Sequence, residues 1–456
     1  MFKQQCITLF QDKKFYKIMI VLVIPIIIQN LLVSSLNMVD TLMIGALGEN
    51  EIAAVGIANQ FFFLYNLVIV GVSAGCSMFI SQYWGAKDVD DIHKTVGVGV
   101  ISASIAALIF TLVALLFPRS VISLFTKDSY VIELSVQYLY VVCISYIFTA
   151  ISVVFASALR STGNARLPMI VSFLAILCNA FLNYIFIFGY GPIPAMGVKG
   201  AALATTIARI LECIILLFFS LRKTSILYGT WSHYFTFTKA FFLKIQSSVI
   251  PVILNEGCWG MGTILYTMAY GQIGTKAIAA TQITNTITNI FMVLCFSMSS
   301  AALVMIGNQI GAKNKENTIA YAYKFTILAF LLGILLGISM IFFAPSIISI
   351  FNVSTQVHNS SILILRIFSF MAPVRVLTVI LIVGIFRGGG DAKFALKIEA
   401  FTMWFIGVPL AFLGAMYFHF DVEIVAAMVT IEEIVKLGIC IPRLKSKKWI
   451  HDLTTA

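Results

Sequence analysis

The sequence predicts an all-α integral membrane protein: twelve transmembrane helices in two parallel six-helix lobes. Three observations carry this. Hydrophobic residues make up 60% of the 456 positions and charged ones 11%, against roughly 45–50% and 25% in a soluble domain. Apolar stretches of about 20 residues recur from end to end, each long enough to cross a hydrocarbon core of about 30 Å. The chain also repeats itself about 226 residues further on. Pro25 returns as Pro251, Ile52-Ala53-Ala54 as Ile278-Ala279-Ala280, Asn59 as Asn285, Ser73 as Ser299, and Gly85-Ala86-Lys87 as Gly311-Ala312-Lys313. After one residue of drift, Arg160-x-x-Gly163-x-Ala165-Arg166 returns as Arg387-x-x-Gly390-x-Ala392-Lys393. In an apolar chain, repetition on this scale marks a transporter built from two halves.

The spans expected in the first half are 17–40, 52–79, 95–117, 132–157, 167–189 and 198–220. Those in the second are 244–269, 278–305, 319–343, 357–385, 394–416 and 422–441. Six spans per half is an even number, so both halves enter the membrane in one orientation and are related by an axis along its normal. The lobes fall at 1–222 and 244–442, joined by a cytoplasmic linker at 223–243 and followed by a basic cytoplasmic tail at 443–456.

The net charge of +11 is explained by where the charges lie. With the N-terminus inside, Arg119, Lys127, Lys199 and Lys276 fall in external loops, and Arg209, Arg366, Arg375 and Lys436 inside spans. All other Lys and Arg face the cytoplasm. This is the positive-inside signature of a multi-pass protein of the cell (inner or plasma) membrane with both termini cytoplasmic, and it argues against nucleic acid as a partner. The segment Met1 to Lys17 ends in no small-residue cleavage site and reads as a cytoplasmic anchor. Arg443, Lys445, Lys447 and Lys448 with Trp449 read as an interfacial anchor on anionic membrane lipid. The eight cysteines are isolated and read as packing residues, with no disulfide framework or metal site.

The repeated Gly-Ala-Lys and Arg-x-x-Gly segments follow spans 2, 4, 8 and 10. They read as sharp cytoplasmic turns in which glycine bends the chain and lysine anchors it. Gly388-Gly389-Gly390 is then a turn rather than a phosphate cradle. No G-x-x-x-x-G-K-[ST] occurs, so uphill transport draws on an ion gradient. Pro25 and Pro251 sit at matching places in the first span of each lobe and predict conformational kinks.

Ionisable groups inside spans need a reason, because insertion of each costs a few kcal/mol. Arg209 with Glu212, and Glu432 with Lys436, are spaced to neutralise one another along one helix face. Glu399, near the cytoplasmic start of span 11, reads as solvated. Asp40 has no local partner. It lies about 22 Å along the helix beyond Pro25, with Asn37 on its face, and span 5 offers Asn179 and Asn183 four residues apart. Desolvation disfavours the charged form of an acid among amides, which suits Asp40 to load and release a proton. These four residues are the expected cation-coupling site. Glu256 and Arg375 reach similar depths and form the expected charge site of the second lobe, as a buried ion pair. Gln60, Asn66, Met261, Asn285, Asn289 and Met292 are candidates for the substrate cleft.

At these residues the chain resembles the multidrug and toxic compound extrusion (MATE) family over essentially its full length, in the manner of its bacterial NorM- and DinF-like members. The resemblance is carried by Asn37-Met-Val-Asp40-Thr, Gly85-Ala-Lys87, Ala158-Leu-Arg160-Ser-Thr-Gly163, Asn183-Tyr-Ile-Phe-Ile-Phe-Gly189, Gly197-Val-Lys-Gly200-Ala-Ala, and Pro251 with Glu256. It implies two six-helix lobes in a V shape, exporting organic cations or drugs in exchange for H⁺ or Na⁺. Asp40 matches the family's first-lobe acid and Glu256 the span 7 acid of its NorM-type branch. Val376 stands where NorM-type members carry a further acid, and Asn183 where archaeal DinF-type members carry an aspartate. Sodium, if it replaces the proton, belongs at Asp40 or Glu256; no other metal and no cofactor is implied.

The reading is therefore a secondary antiporter for small cationic or amphiphilic compounds, acting as a monomer and coupled by preference to H⁺ through Asp40. A flippase for lipid-linked oligosaccharides, from a related superfamily with similar lobes, stays open as the alternative. An enzyme is not expected: His93, His233, His358, His419 and His451 fall in loops or the tail, and there is no H-E-x-x-H motif.

Overall fold

A computed structural model describes residues 12–349, 351 and 353–455, with the side chain of Asn37 outside the description. The expectations for Met1 to Gln11, Cys6 included, lie outside the described residues. Every long element among them is a helix: α1 (Lys13–Gly45), α2 (Glu49–Ala86), α3 (Val89–Leu116), the short α4 (Pro118–Ser123), α5 (Ser129–Val142), α6 (Ser145–Ser161), α7 (Arg166–Phe188), α8 (Gly197–Ser220) and the short α9 (Trp231–Phe235). The second half continues with α10 (Lys239–Ile273), α11 (Thr275–Gly311), α12 (Lys315–Ile348) and α13 (Thr355–Val379, continued by a π-helical turn Ile380–Phe386). It closes with α14 (Ala392–Tyr417, interrupted by two π turns) and α15 (Val422–Ser446).

Ten of these helices are long and apolar enough to cross a membrane, and α5 with α6, bent by 53°, makes an eleventh span. The twelfth expected span is α15, a 25-residue helix set apart by the charges of Glu432, Glu433 and Lys436. The helices overrun the apolar windows expected from the sequence. At 38 residues, α2 is about 57 Å long, nearly twice the hydrocarbon thickness. Large side chains left outward, such as Phe370 at 81% and Phe342 at 75% exposure, are what a lipid-facing surface requires.

The described chain divides into two compact units. One comprises Ile24–Ile80 and Asp88–Ile253; the other Met1–Val23, Ser81–Lys87 and Leu254–Ala456. In the first, α2 and α10 touch through glycines: a Cβ on Gly71 or Gly75 would stand 2.7 Å from the Cα of Ile253 or Val249. The connection between α8 and α10 folds onto α3. There Tyr234 donates to the Leu227 carbonyl, and the buried His93 ring meets the Ile226 carbonyl at 3.0 Å. His93 thus lies in the first turns of α3 rather than in a loop, because aspartates 88, 90 and 91 start that helix early and Asp88 caps it.

The repeated Gly-Ala-Lys turns meet each other in the second unit. A Cβ on Gly85 would lie 2.0 Å from the Asn308 carbonyl oxygen, and one on Gly311 would lie 1.7 Å from that of Gln82. These reciprocal contacts need glycine for close approach, whereas the residues that take the left-handed conformation are Lys87 (φ 62°) and Lys313 (φ 56°). The bend expected of glycine is therefore taken by lysine, and glycine serves close packing instead. In the Arg-x-x-Gly turns, by contrast, glycine does supply the bend, with φ 92° at Gly163 and 87° at Gly390.

The tail differs from expectation. Trp449 is 1% exposed, donates its indole N–H to the Leu444 carbonyl and covers Gly389. Beyond it, His451 N donates to the Gly389 carbonyl at 2.7 Å, and Leu453 N to Gln82 Oε1 at 2.7 Å. Trp449 is thus a core residue rather than a lipid anchor, because Gly389 leaves room for its ring.

Candidate functional site

In the first unit, α1, α2, α5, α7 and α8 enclose a cavity of about 380 Å³, within the ~300–1,000 Å³ typical of small-molecule sites. Asp40 enters it from α1, Asn59 and Asn66 from α2, Tyr138 from α5, Asn179 and Asn183 from α7, and Thr205, Arg209 and Glu212 from α8. Asn183 Nδ2 donates to Asp40 Oδ1 at 2.6 Å and to Asn179 Oδ1 at 3.2 Å. Asn179 Nδ2 in turn reaches Thr205 Oγ1 at 3.3 Å. The four-residue spacing of the two asparagines stacks them on one helix face, which lets one line of amides end on the carboxylate. Asp40 is half-buried and has no salt bridge among the described residues. Asn183 is 1% exposed, and its Oδ1 has no hydrogen-bond partner there.

A second polar line runs beside it. Gln29 Nε2 donates to Ser172 Oγ at 2.9 Å, Ser172 to Glu212 Oε1 at 2.8 Å, and Arg209 Nη1 to Glu212 Oε2 at 2.9 Å. The neutralising pair expected of Arg209 and Glu212 is present, and both of its members line the Asp40 cavity. Gln29 precedes Asp40 by eleven residues, three helical turns, and so shares its face of α1. That spacing could have found it in the sequence.

Of the cleft candidates, Asn66 lines the cavity and Gln60 does not; its neighbour Asn59 does. One residue along a helix turns a side chain by about 100°, and Asn59 and Asn66, seven apart, share a face. In the second unit Asn285, Asn289 and Met261 are exposed. Met292 is 5% exposed, a packing residue there because a flexible thioether fills core gaps. The side chain of Asn37 lies outside the described residues. Pro25 and Pro251 both fall inside continuous helices, α1 and α10.

The second unit corrects two expectations. Glu256 pairs with Arg387, Oε1 to Nη2 at 2.7 Å, and not with Arg375. Arg387, 2% exposed, also donates to Asn255 Oδ1. Depth alone suggested Arg375, whereas the end of α13, carried past a π turn, brings Arg387 to the face of α10. Glu399 is likewise buried rather than solvated: it receives Lys436 Nζ at 3.1 Å, because α14 packs along α15. Lys436 also meets Glu432 at 2.9 Å and Glu433 at 3.6 Å. Tyr266 donates to Glu432, and Thr378 to Glu433 at 2.6 Å. None of the seven cysteines among the described residues is paired, and no cluster of three His, Cys, Asp or Glu residues suited to a metal occurs among them.

An all-helical, internally repeated chain of membrane-length helices, with a polar cavity inside one unit around a carboxylate free of salt bridges, is built as a membrane transporter. The chain belongs to the MatE family, whose model matches residues 25–185 and again 251–413. The two matches begin one repeat interval apart, at Pro25 and Pro251. Among relatives, an uncharacterized transporter, YisQ of Bacillus subtilis, is 26% identical over 94% of this chain and 93% of its own length. A probable multidrug resistance protein NorM of Thermotoga maritima is 27% identical over 88% and 86%. Among solved structures, a mutant of the Vibrio cholerae MATE transporter VcmN superposes with a TM-score of 0.86 at 19% identity, covering 96% of this chain and 98% of that one. An outward-facing multidrug resistance MATE transporter gives 0.85 at 21%, covering 96% and 97%. The twelve-helix fold is therefore shared.

Proposed function

We propose that this protein is a secondary active exporter of organic cations and drugs, driven by antiport of H⁺ or Na⁺, with H⁺ preferred and Asp40 as the coupling group. The observation that carries the reading is the Asp40–Asn183 contact. When Asp40 is ionised, the Asn183 amide N–H donates to it, as seen at 2.6 Å. When Asp40 takes a proton, its O–H can donate to Asn183 Oδ1, the buried acceptor that otherwise has no partner. One amide can serve both states, and the acceptor left unpaired while Asp40 is ionised gains a donor when Asp40 takes its proton. An organic cation competes with that proton for the same carboxylate. Such exchange drives export only if the two occupants favour different conformations.

The names of the NorM relatives support drug efflux. The two lobes with the 223–243 linker, cytoplasmic termini, placement in the cell membrane, the monomeric state and the absence of cofactor or enzymatic chemistry belong to the same proposal. A flippase for lipid-linked sugars would want a cationic cavity for a pyrophosphate. Here the lining offers Arg209 alone, already held by Glu212.

The test is ethidium uptake into proteoliposomes under an imposed pH or Na⁺ gradient, wild type against Asp40→Asn. Gradient-driven uptake lost in Asp40→Asn is expected, and equal uptake by both removes Asp40 from the mechanism.

A further inference from the structure

Three charged side chains line the cavity, and among the described residues one of them, Asp40, makes no salt bridge. Asp40 and Glu212 are acids, and Arg209 is bound to Glu212 by its 2.9 Å ion pair. The Glu212 carboxylate is further fixed by Ser172, itself held by Gln29 of α1. Its side chain is 12% exposed against 33% for Arg209, so the acid is anchored and the guanidinium is the freer partner. With Arg209 in place, the lining carries a net charge of −1, all of it presented by Asp40. The remaining polar groups are neutral amides and hydroxyls, and the rest of the wall is apolar, including Phe62 and Phe63.

We infer that Arg209 is a specificity-determining residue: by cancelling Glu212 it restricts the cavity to cargo bearing a single positive charge. This rests on the proposed role of the cavity as the cargo site and adds the charge class of the cargo. A dication would leave an excess positive charge in a partly desolvated space. Without Arg209, the lining would present two carboxylates and favour two charges. Without Glu212, the freed guanidinium would cancel Asp40 and the cavity would lose its attraction for cations. Removal of both returns the net charge to −1. In a cavity of reduced dielectric, one unit of charge changes affinity by at least about tenfold.

The experiment measures binding of ethidium, a monocation, and of propidium, a phenanthridinium carrying a second quaternary ammonium, to the purified protein by fluorescence anisotropy. Wild type should favour ethidium. Arg209→Gln should move the propidium-to-ethidium affinity ratio upward by about tenfold or more. Glu212→Gln should weaken ethidium about tenfold with Asp40 intact. Arg209→Gln/Glu212→Gln should restore the wild-type ratio, which also shows that the double variant folds. A ratio in Arg209→Gln within twofold of wild type overturns the inference, as does a double variant that keeps the altered ratio. No ethidium binding to wild type removes the cavity as the cargo site and the inference with it. Gradient-driven uptake unchanged in Asp40→Asn defeats the coupling reading alone and leaves the charge ratio to decide this one.

Discussion

Removing the guanidinium of Arg387 should destabilise the second unit strongly, and removing Arg375 should not. Arg387 side-chain exposure is 3% and that of Glu256 is 18%, with 2.7 Å between them. Arg387→Met keeps the length of the side chain while leaving Glu256 without its counter-charge and Asn255 Oδ1 without its donor. Breaking a buried pair from one side costs about 3–5 kcal/mol, and the residual exposure of Glu256 places the value near the lower end, at about 3 kcal/mol. For a cooperative block of some 200 residues this corresponds to a fall in Tm of about 6–12 °C. Glu256→Gln/Arg387→Met removes both charges, so it should recover most of the loss, because the large term is the stranded charge and not the pair itself. The assay is thermal unfolding in detergent followed by intrinsic fluorescence, completing the double-mutant cycle. An Arg387→Met protein as stable as wild type, a double variant no better than the worse single, or an equal loss in Arg375→Met would each refute the assignment of the pair.

Three further substitutions probe the glycine contacts and the tail of the second unit. Gly311→Ala forces a methyl group to within 1.7 Å of a backbone carbonyl and should cost at least about 1–3 kcal/mol as overpacking. Gly438→Ala, with open space around it in α15, should be neutral or stabilising; detergent Tm values that fail to separate the two would count against the reciprocal glycine contact. Trp449→Ala should cost about 3–5 kcal/mol and expose the tail to limited proteolysis, and a tail that resists protease as wild type does would show that the ring does not hold it.

The sequence revealed the spans and the repeat because both rest on one-dimensional signals: apolar length set by the bilayer, and glycine and arginine recurring at a fixed interval. The amide partners of Asp40 were legible for a similar reason, since a four-residue spacing on α7 names a face. Partners supplied by another helix were not. Arg375 and Arg387 differ by three turns of α13, and no periodicity says which turn meets Glu256; the π-helical segment Ile380–Phe386 also shifts the register that a regular helix would give. Glu399 looked solvated because it lies near a span end, yet burial there depends on how α14 packs along α15.

The repeat also shows how one scaffold can carry two chemistries. Ser172 and Glu399 stand at corresponding places, 227 residues apart as Arg160 and Arg387 are, and each reaches the last helix of its half. Ser172 meets the acid Glu212 there, and Glu399 meets the base Lys436. At Asp40 the second half has Tyr266, a donor to Glu432 where the first half offers an acceptor. Charges have changed sides while the helix contacts have stayed. In the second half the result is a lysine among three glutamates, with each acid tied to a neighbour. In the first half Asp40 takes a hydrogen bond from the Asn183 amide and has no salt bridge among the described residues, although Arg209 lines the same cavity. An exchangeable charge needs a carboxylate that no lysine or arginine has already claimed, and this favours the proposed coupling role at Asp40 over the larger acid cluster.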